Sequence, residues 1–270
     1  MTETSLSAPT LRVDGVCKTF SGHKAVDDVS FSLNAGERVA MLGHNGAGKT
    51  TLFKIVLGFL KRDHGDVAVM GAAPGSHDAR VGTAYLPESV AFPASLTGKE
   101  VLTFYARLKG ESPARALPLL ERVGLAEAAK RRVGTYSKGM RQRLGLAQAL
   151  VGRPRLILLD EPTTGLDPIS RQTVYELIGE IAGQGTTVLL SSHALTELEA
   201  RTDRILILSK GRLVADDVLS RLRAQAGLPI RLKVWTRPED LAHVSETHGQ
   251  DLRAWSRPSA CAPRPGCRSG

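Results

Sequence analysis

The chain has 270 residues, 42% of them hydrophobic, enough to bury a substantial core as one large domain or as one domain with an appendage. No run approaches the ~18 consecutive apolar residues of a membrane span, and the opening Met1-Thr-Glu-Thr-Ser-Leu-Ser has no signal-peptide pattern. A cytoplasmic protein is expected, touching a membrane only through a partner. The formal net charge of +9 is spread along the chain without interleaved aromatics, which argues against nucleic-acid binding, and Cys17, Cys261 and Cys267 have neither zinc nor disulfide spacing.

In chain order, Leu11 to Phe20 and Val29 to Leu33 alternate apolar and polar residues, the period of antiparallel strands. Arg38 to Leu42 is a short apolar run typical of a buried parallel strand, and Thr51 to Leu57 repeats apolar residues at helical spacing. Between them stands Gly43-His44-Asn45-Gly46-Ala47-Gly48-Lys49-Thr50, which fits the phosphate-loop template at every fixed position. Its glycines let the backbone curl so that N–H groups face phosphate oxygens. Lys49 adds a charge for the β- and γ-phosphates, and Thr50 offers a hydroxyl to Mg²⁺. A nucleoside triphosphate is the expected ligand.

Asp66 to Met70 predicts another strand. Residues 98–143 read as a helical insertion, with Val101, Leu102, Tyr105 and Leu108 on one face and Leu119, Leu120 and Val123 on another. The runs Leu156 to Leu159 and Thr187 to Leu190, separated by a helical segment from Arg171 to Ala182, have the grammar of a parallel sheet with crossover helices. Ile205 to Leu208 turns at Lys210-Gly211 into Arg212 to Ala215, a hairpin that closes the core near residue 220. Residues 10–220 are thus expected to form the core domain and 221–252 a partial C-terminal module. The arginine- and proline-rich stretch 253–270, without Asp or Glu, is expected to be disordered and to be the truncated or out-of-frame end of a longer module.

The run Leu156-Ile-Leu-Leu-Asp160-Glu161 places two carboxylates at a strand exit. Asp160 can hold Mg²⁺ through its water, and Glu161 can polarise an attacking water. Upstream, Tyr136-Ser137-Lys138-Gly139-Met140-Arg141-Gln142-Arg143 precedes apolar residues at helical spacing, so Ser137 is expected to open a helix.

These residues resemble the signature motif of ATP-binding cassette (ABC) ATPases, with Tyr, Lys and Met in place of the commonest Leu, Gly and Gln. Gly165-Leu166-Asp167 resembles that family's D-loop and Ser191-Ser192-His193 its switch histidine. The resemblance runs from Leu11 to Asp217. It implies an α/β phosphate-loop NTPase fold with a RecA-like parallel sheet core, an antiparallel β subdomain, a helical subdomain at about 98–143 and a short C-terminal appendage.

It further implies a homodimer hydrolysing ATP with Mg²⁺. Glu161, His193 and Lys49 are then catalytic, and Thr50, Glu88 and Asp160 serve the metal, Asp160 through water. The nucleotide lies against Phe20, the loop Gly43 to Thr51, Glu88, Asp160, and the Ser137, Gly139 and Asp167 of the opposite subunit. Phe20 stands where the family stacks adenine. Glu88, in Tyr85-Leu-Pro-Glu88, replaces the usual Q-loop glutamine; it offers Mg²⁺ an oxygen but adds a negative charge.

A finer resemblance, over Gly43-His44-Asn45, Tyr85 to Glu88, Phe104 to Gly110, Thr135 to Leu150 and Ala226 to Arg231, is to NosF-type ATPases. These serve a copper-related transporter needed to mature nitrous-oxide reductase. That resemblance implies an integral membrane NosY-like permease and a periplasmic NosD-like protein as partners. The alternative is the ATPase of an ABC exporter for another substrate. Heads of DNA-repair ATPases and tandem ribosomal cassettes are excluded, because the chain has no heptad insertion and no second phosphate loop.

Overall fold

The computed structural model describes residues 8–194 and 201–225. Two sheets carry the architecture. The larger has six strands in the order β5 (Thr83–Leu86), β6 (Leu156–Leu159), β7 (Thr187–Ser192), β3 (Arg38–Leu42), β8 (Arg204–Ser209) and β9 (Arg212–Asp217). All its pairings are parallel except β8 with β9, the hairpin expected at Lys210-Gly211. Every residue of β6 and β7 is buried, because helices and the second sheet cover both faces; their sequences therefore read as continuous apolar runs rather than as alternation.

The second sheet is antiparallel, in the order β2 (His23–Leu33), β1 (Leu11–Phe20) and β4 (His64–Val69). Its alternating residues Leu11, Val13, Val29, Phe31, Val67 and Val69 pack with α1 (Lys49–Val56) and one face of the large sheet. The other face of that sheet packs against α3 (Gly98–Leu108), α4 (Ala116–Arg122), α5 (Lys138–Ala149) and α6 (Pro168–Gly183).

The helix starts are written in the sequence. Thr97 and Glu100 close a reciprocal capping box on α3, Ser137 caps α5, and Asp167 caps α6 with Pro168 at its first position. Each such cap is worth about 1 kcal/mol.

Three differences from the sequence reading have local causes. The short α2 (His77–Gly82) and β5 were not anticipated as elements, because six and four residues are too few to show a period. Strand β2 begins at His23, six residues before the predicted start, since His23 and Lys24 are exposed and the residues up to Asp28 show no apolar alternation. In α3, Leu108 ends the helix and is exposed; Ala106 takes the buried position beside Val101 and Leu102.

Helix α7 (Leu219–Gln225) follows β9 and packs Leu219 and Leu222 onto the larger core cluster. Residues 221–225 of the module expected at 221–252 therefore belong to this helix, and the rest of that module and the tail at 253–270 lie outside the described residues.

Candidate nucleotide site

Strand β3 delivers the chain to a loop that only glycine can build. Gly48, the residue before α1, has φ 105°, and a Cβ there would stand 2.3 Å from the Ala25 carbonyl oxygen. With Gly48 so turned, Lys49 starts the helix buried beneath the loop, and Thr50 stands at its exposed edge. The first turn of α1 holds no acidic residue, so its amide dipoles are not neutralised from within the helix. His44 and Asn45 lie exposed on the loop, with the His44 ring nitrogen Nδ1 2.7 Å from the Asn45 carbonyl.

The acidic pair leaves β6 beside this loop. Asp160 is buried and fully engaged by hydroxyls. Its Oδ1 accepts from Ser191 at 2.7 Å; its Oδ2 accepts from Thr50 at 2.9 Å and from Tyr85 at 3.4 Å. Burial, reinforced by the Asp160 charge, pushes the Tyr85 phenol up to about 12, so it remains a donor at every physiological pH. A carboxylate bonded to a hydroxyl on the phosphate loop is a hard, oxygen-only donor set, and it fits Mg²⁺.

Glu161 adopts φ 48°, unusual for a side-chain-bearing residue and costing on the order of 1–3 kcal/mol. The Ser191 hydroxyl compensates by accepting from the Glu161 amide at 2.9 Å. The strained turn aims the carboxylate between two nitrogen groups. Oε1 lies 3.3 Å from the Lys49 ammonium, and Oε2 lies 2.7 Å from His193 Nδ1 while accepting from Thr164 at 3.1 Å. Because a carboxylate only accepts, Nδ1 is the protonated ring nitrogen. Oε1 is buried and has no hydrogen bond, so only the charge of Lys49 compensates it. Lys49 also donates to the Gly43 carbonyl at 2.5 Å. The loop is thus folded on its own lysine, which a phosphate oxygen can claim.

The signature residues face elsewhere. Ser137 accepts from the Met140 amide at 3.2 Å, and Asp167 accepts from the Ser170 amide at 2.9 Å. The Ser170 bonds hold the Asp167 carboxyl below the usual range. A Cβ on Gly139 would meet Ser170 Oγ at 2.6 Å, so the two helix starts touch. Ser137 and Asp167 are exposed, and their hydrogen bonds go to α5 and α6 rather than to the phosphate loop. Phe20, at the end of β1, is 45% exposed. Glu88 is exposed on the loop after β5, and its charge contributes to raising Tyr85.

The chain is similar to known proteins in sequence and in fold. The family model described as "ABC transporter" matches residues 26–164. YxlF of Bacillus subtilis, described as an uncharacterized ABC transporter ATP-binding protein, is 40% identical over 80% of this chain and 73% of its own length. The chain belongs to the ABC transporter ATP-binding family.

Within this ABC family, the doxorubicin resistance ATP-binding protein DrrA of Mycobacterium tuberculosis is 40% identical over 80% of this chain and 67% of its own length. The daunorubicin/doxorubicin resistance protein DrrA of Streptomyces peucetius is 35% identical over 94% of this chain and 80% of its own. A solved ATP-binding subunit of an ABC transporter superposes with a TM-score of 0.74 at 31% identity, covering 88% of this chain and 99% of that one. ABC cassettes hydrolyse ATP to power transport, and their subunits dimerise and join membrane permease components. Among the described residues no helix is long and apolar enough to cross a membrane.

Three contacts of the ABC site escaped the sequence reading. Ser191 bridges both carboxylate residues, Thr164 holds Glu161, and Tyr85 holds Asp160. Ser191 and Tyr85 lie inside motifs already noted, where each was overshadowed by a charged neighbour. The only advance signal for Thr164 was its position in the Thr-Thr-Gly turn that follows the acidic pair.

Proposed function

We propose that Glu161 is the general base of ATP hydrolysis and that the reaction takes place between two copies of the chain arranged head to tail. The observation that carries this reading is the Glu161 carboxylate, held between Lys49 and His193 at the edge of the phosphate loop. When a γ-phosphate draws Lys49 away, the carboxylate loses its compensating cation and becomes free to accept a proton from water. Loop amides and Lys49 then face the charge developing on the transferring group, and His193 steadies it. Thr50 and Asp160 would hold Mg²⁺, which supplies neutralisation of phosphate charge; Glu88 is a third candidate oxygen. The Ser137 and Gly139 end of α5 and the Asp167 turn from the opposite copy complete each site, which two-fold symmetry makes equivalent.

The chain is accordingly read as a peripheral subunit on the cytoplasmic face of a membrane permease. For its physiological task, the segments from Gly43 to Asn45, Tyr85 to Glu88 and Thr135 to Leu150 support a NosF-type role. In that role it powers a complex, with NosY-like and NosD-like partners, that delivers a copper-site component to nitrous-oxide reductase. The drug-resistance names of the two DrrA relatives support the second reading, export of another substrate. The test is the copper content and activity of nitrous-oxide reductase made in cells whose only copy carries Lys49→Ala. A copper-deficient enzyme is expected; a fully assembled enzyme would leave the exporter reading.

A further inference from the structure

Three successive residues near the end of β1 are fastened to one residue, Asp63. Asp63, just before β4, donates its amide to the Cys17 carbonyl at 2.9 Å. Its carboxylate accepts from the Lys18 ammonium at 2.7 Å and from the Thr19 amide at 2.7 Å. These two bonds hold the Asp63 carboxyl below the usual range. The Lys18 ammonium, so tethered, stands 5.5 Å from the centroid of the Phe20 ring, within cation–π range. Beyond Phe20 the chain reverses through the two-residue turn Ser21-Gly22, with φ 46° and 82°, and Phe20 pairs with His23. Positive φ at both central residues marks a tight hairpin turn, which leaves the backbone at Phe20 little freedom.

We infer that Asp63 and Lys18 are positioning residues that hold Phe20 as a one-sided stacking platform for the base of the bound nucleotide. The inference rests on Phe20 being the base-stacking residue. Lys18 stands over one face of the ring, and with 45% of Phe20 exposed the proposed platform takes the base on the other. A Phe–Lys platform has no hydrogen-bonding tip directed at the edges of a base. It recognises a flat aromatic surface, so GTP binds within about threefold of ATP.

A simple clip between β1 and β4 would stabilise the chain without favouring ligands that carry a base. Calorimetric titration with ATP and with inorganic tripolyphosphate, which has no base, separates the two roles. Phe20→Ala and Lys18→Met are expected to weaken ATP roughly tenfold, Asp63→Asn about threefold, with tripolyphosphate changed less than about twofold in each. Lys18→Arg keeps the charge and the carboxylate bond and is expected to restore ATP affinity.

If Phe20→Ala alone lowers ATP affinity, the positioning role is overturned and the stacking role of Phe20 stands. If Phe20→Ala changes nothing, the stacking reading itself fails. Equal loss of ATP and tripolyphosphate in Lys18→Met and Asp63→Asn shows a structural clip and overturns the inference.

Discussion

The two regions proposed above to meet around the nucleotide are built in opposite ways. On the parallel sheet, Lys49, Thr50, Asp160, Glu161, Ser191 and His193 form one continuous set of bonds within a single chain, with both carboxylates buried or nearly so. At the starts of α5 and α6, Ser137 and Asp167 are exposed and bonded only to their own helices. The first is closed by bonds within one chain; the second is an exposed surface whose caps are turned onto their own helices. In the head-to-tail arrangement proposed above, this asymmetry leaves the second region to a partner copy, so that the site can open after hydrolysis.

The contrast can be broken at its strongest point by Glu161→Gln. Loss of the base is expected to lower turnover ~10²–10⁴-fold with ATP binding retained, measured as phosphate release alongside nucleotide titration. Parent-rate hydrolysis would move the base elsewhere. Ser191→Ala tests the continuity of the first region, since it removes the hydroxyl joining Asp160 to the Glu161 amide. About tenfold slower turnover and a stability loss of roughly 1–3 kcal/mol are expected in activity and denaturant measurements.

Arg204→Met sharpens the comparison away from the site. Arg204 ties β8 to Asp216 on β9, Glu37 and the Ser32 carbonyl on β2, with only 23% of its side chain exposed. About 2 kcal/mol of stability should be lost with ATP affinity unchanged; altered affinity would show that the first region is not self-contained. The smallest effect is expected from Glu88→Gln, because either side chain offers an oxygen to Mg²⁺. Turnover should change less than about tenfold, read from the Mg²⁺ dependence of ATPase activity.

The first region was far more legible in the sequence than the second. Charged residues at fixed spacing beside continuous apolar runs gave away Lys49, Asp160 and Glu161, because buried parallel strands must be apolar and their exits must carry the chemistry. The hydroxyls of Ser191 and Tyr85 were invisible as partners of Asp160, which lies 31 and 75 residues away, whereas Thr164 bonds a carboxylate only three residues before it and was signalled by its turn alone. The signature residues were recognised by resemblance, and the structure adds only that Ser137 and Asp167 are helix caps. Short elements such as α2 and β5 carry too few residues for a period to show. The edge strand β5 nonetheless places Tyr85 over Asp160.

Completion of the site by the α5 and α6 starts of another copy is the central proposal. Light scattering of Glu161→Gln with saturating Mg·ATP measures this directly. The mass should rise from the 28.9 kDa of one chain to twice that value, and Gly139→Asp in the same background should return it to one chain with ATP still bound. A single-chain mass with ATP bound, or a dimer that survives Gly139→Asp, would contradict it.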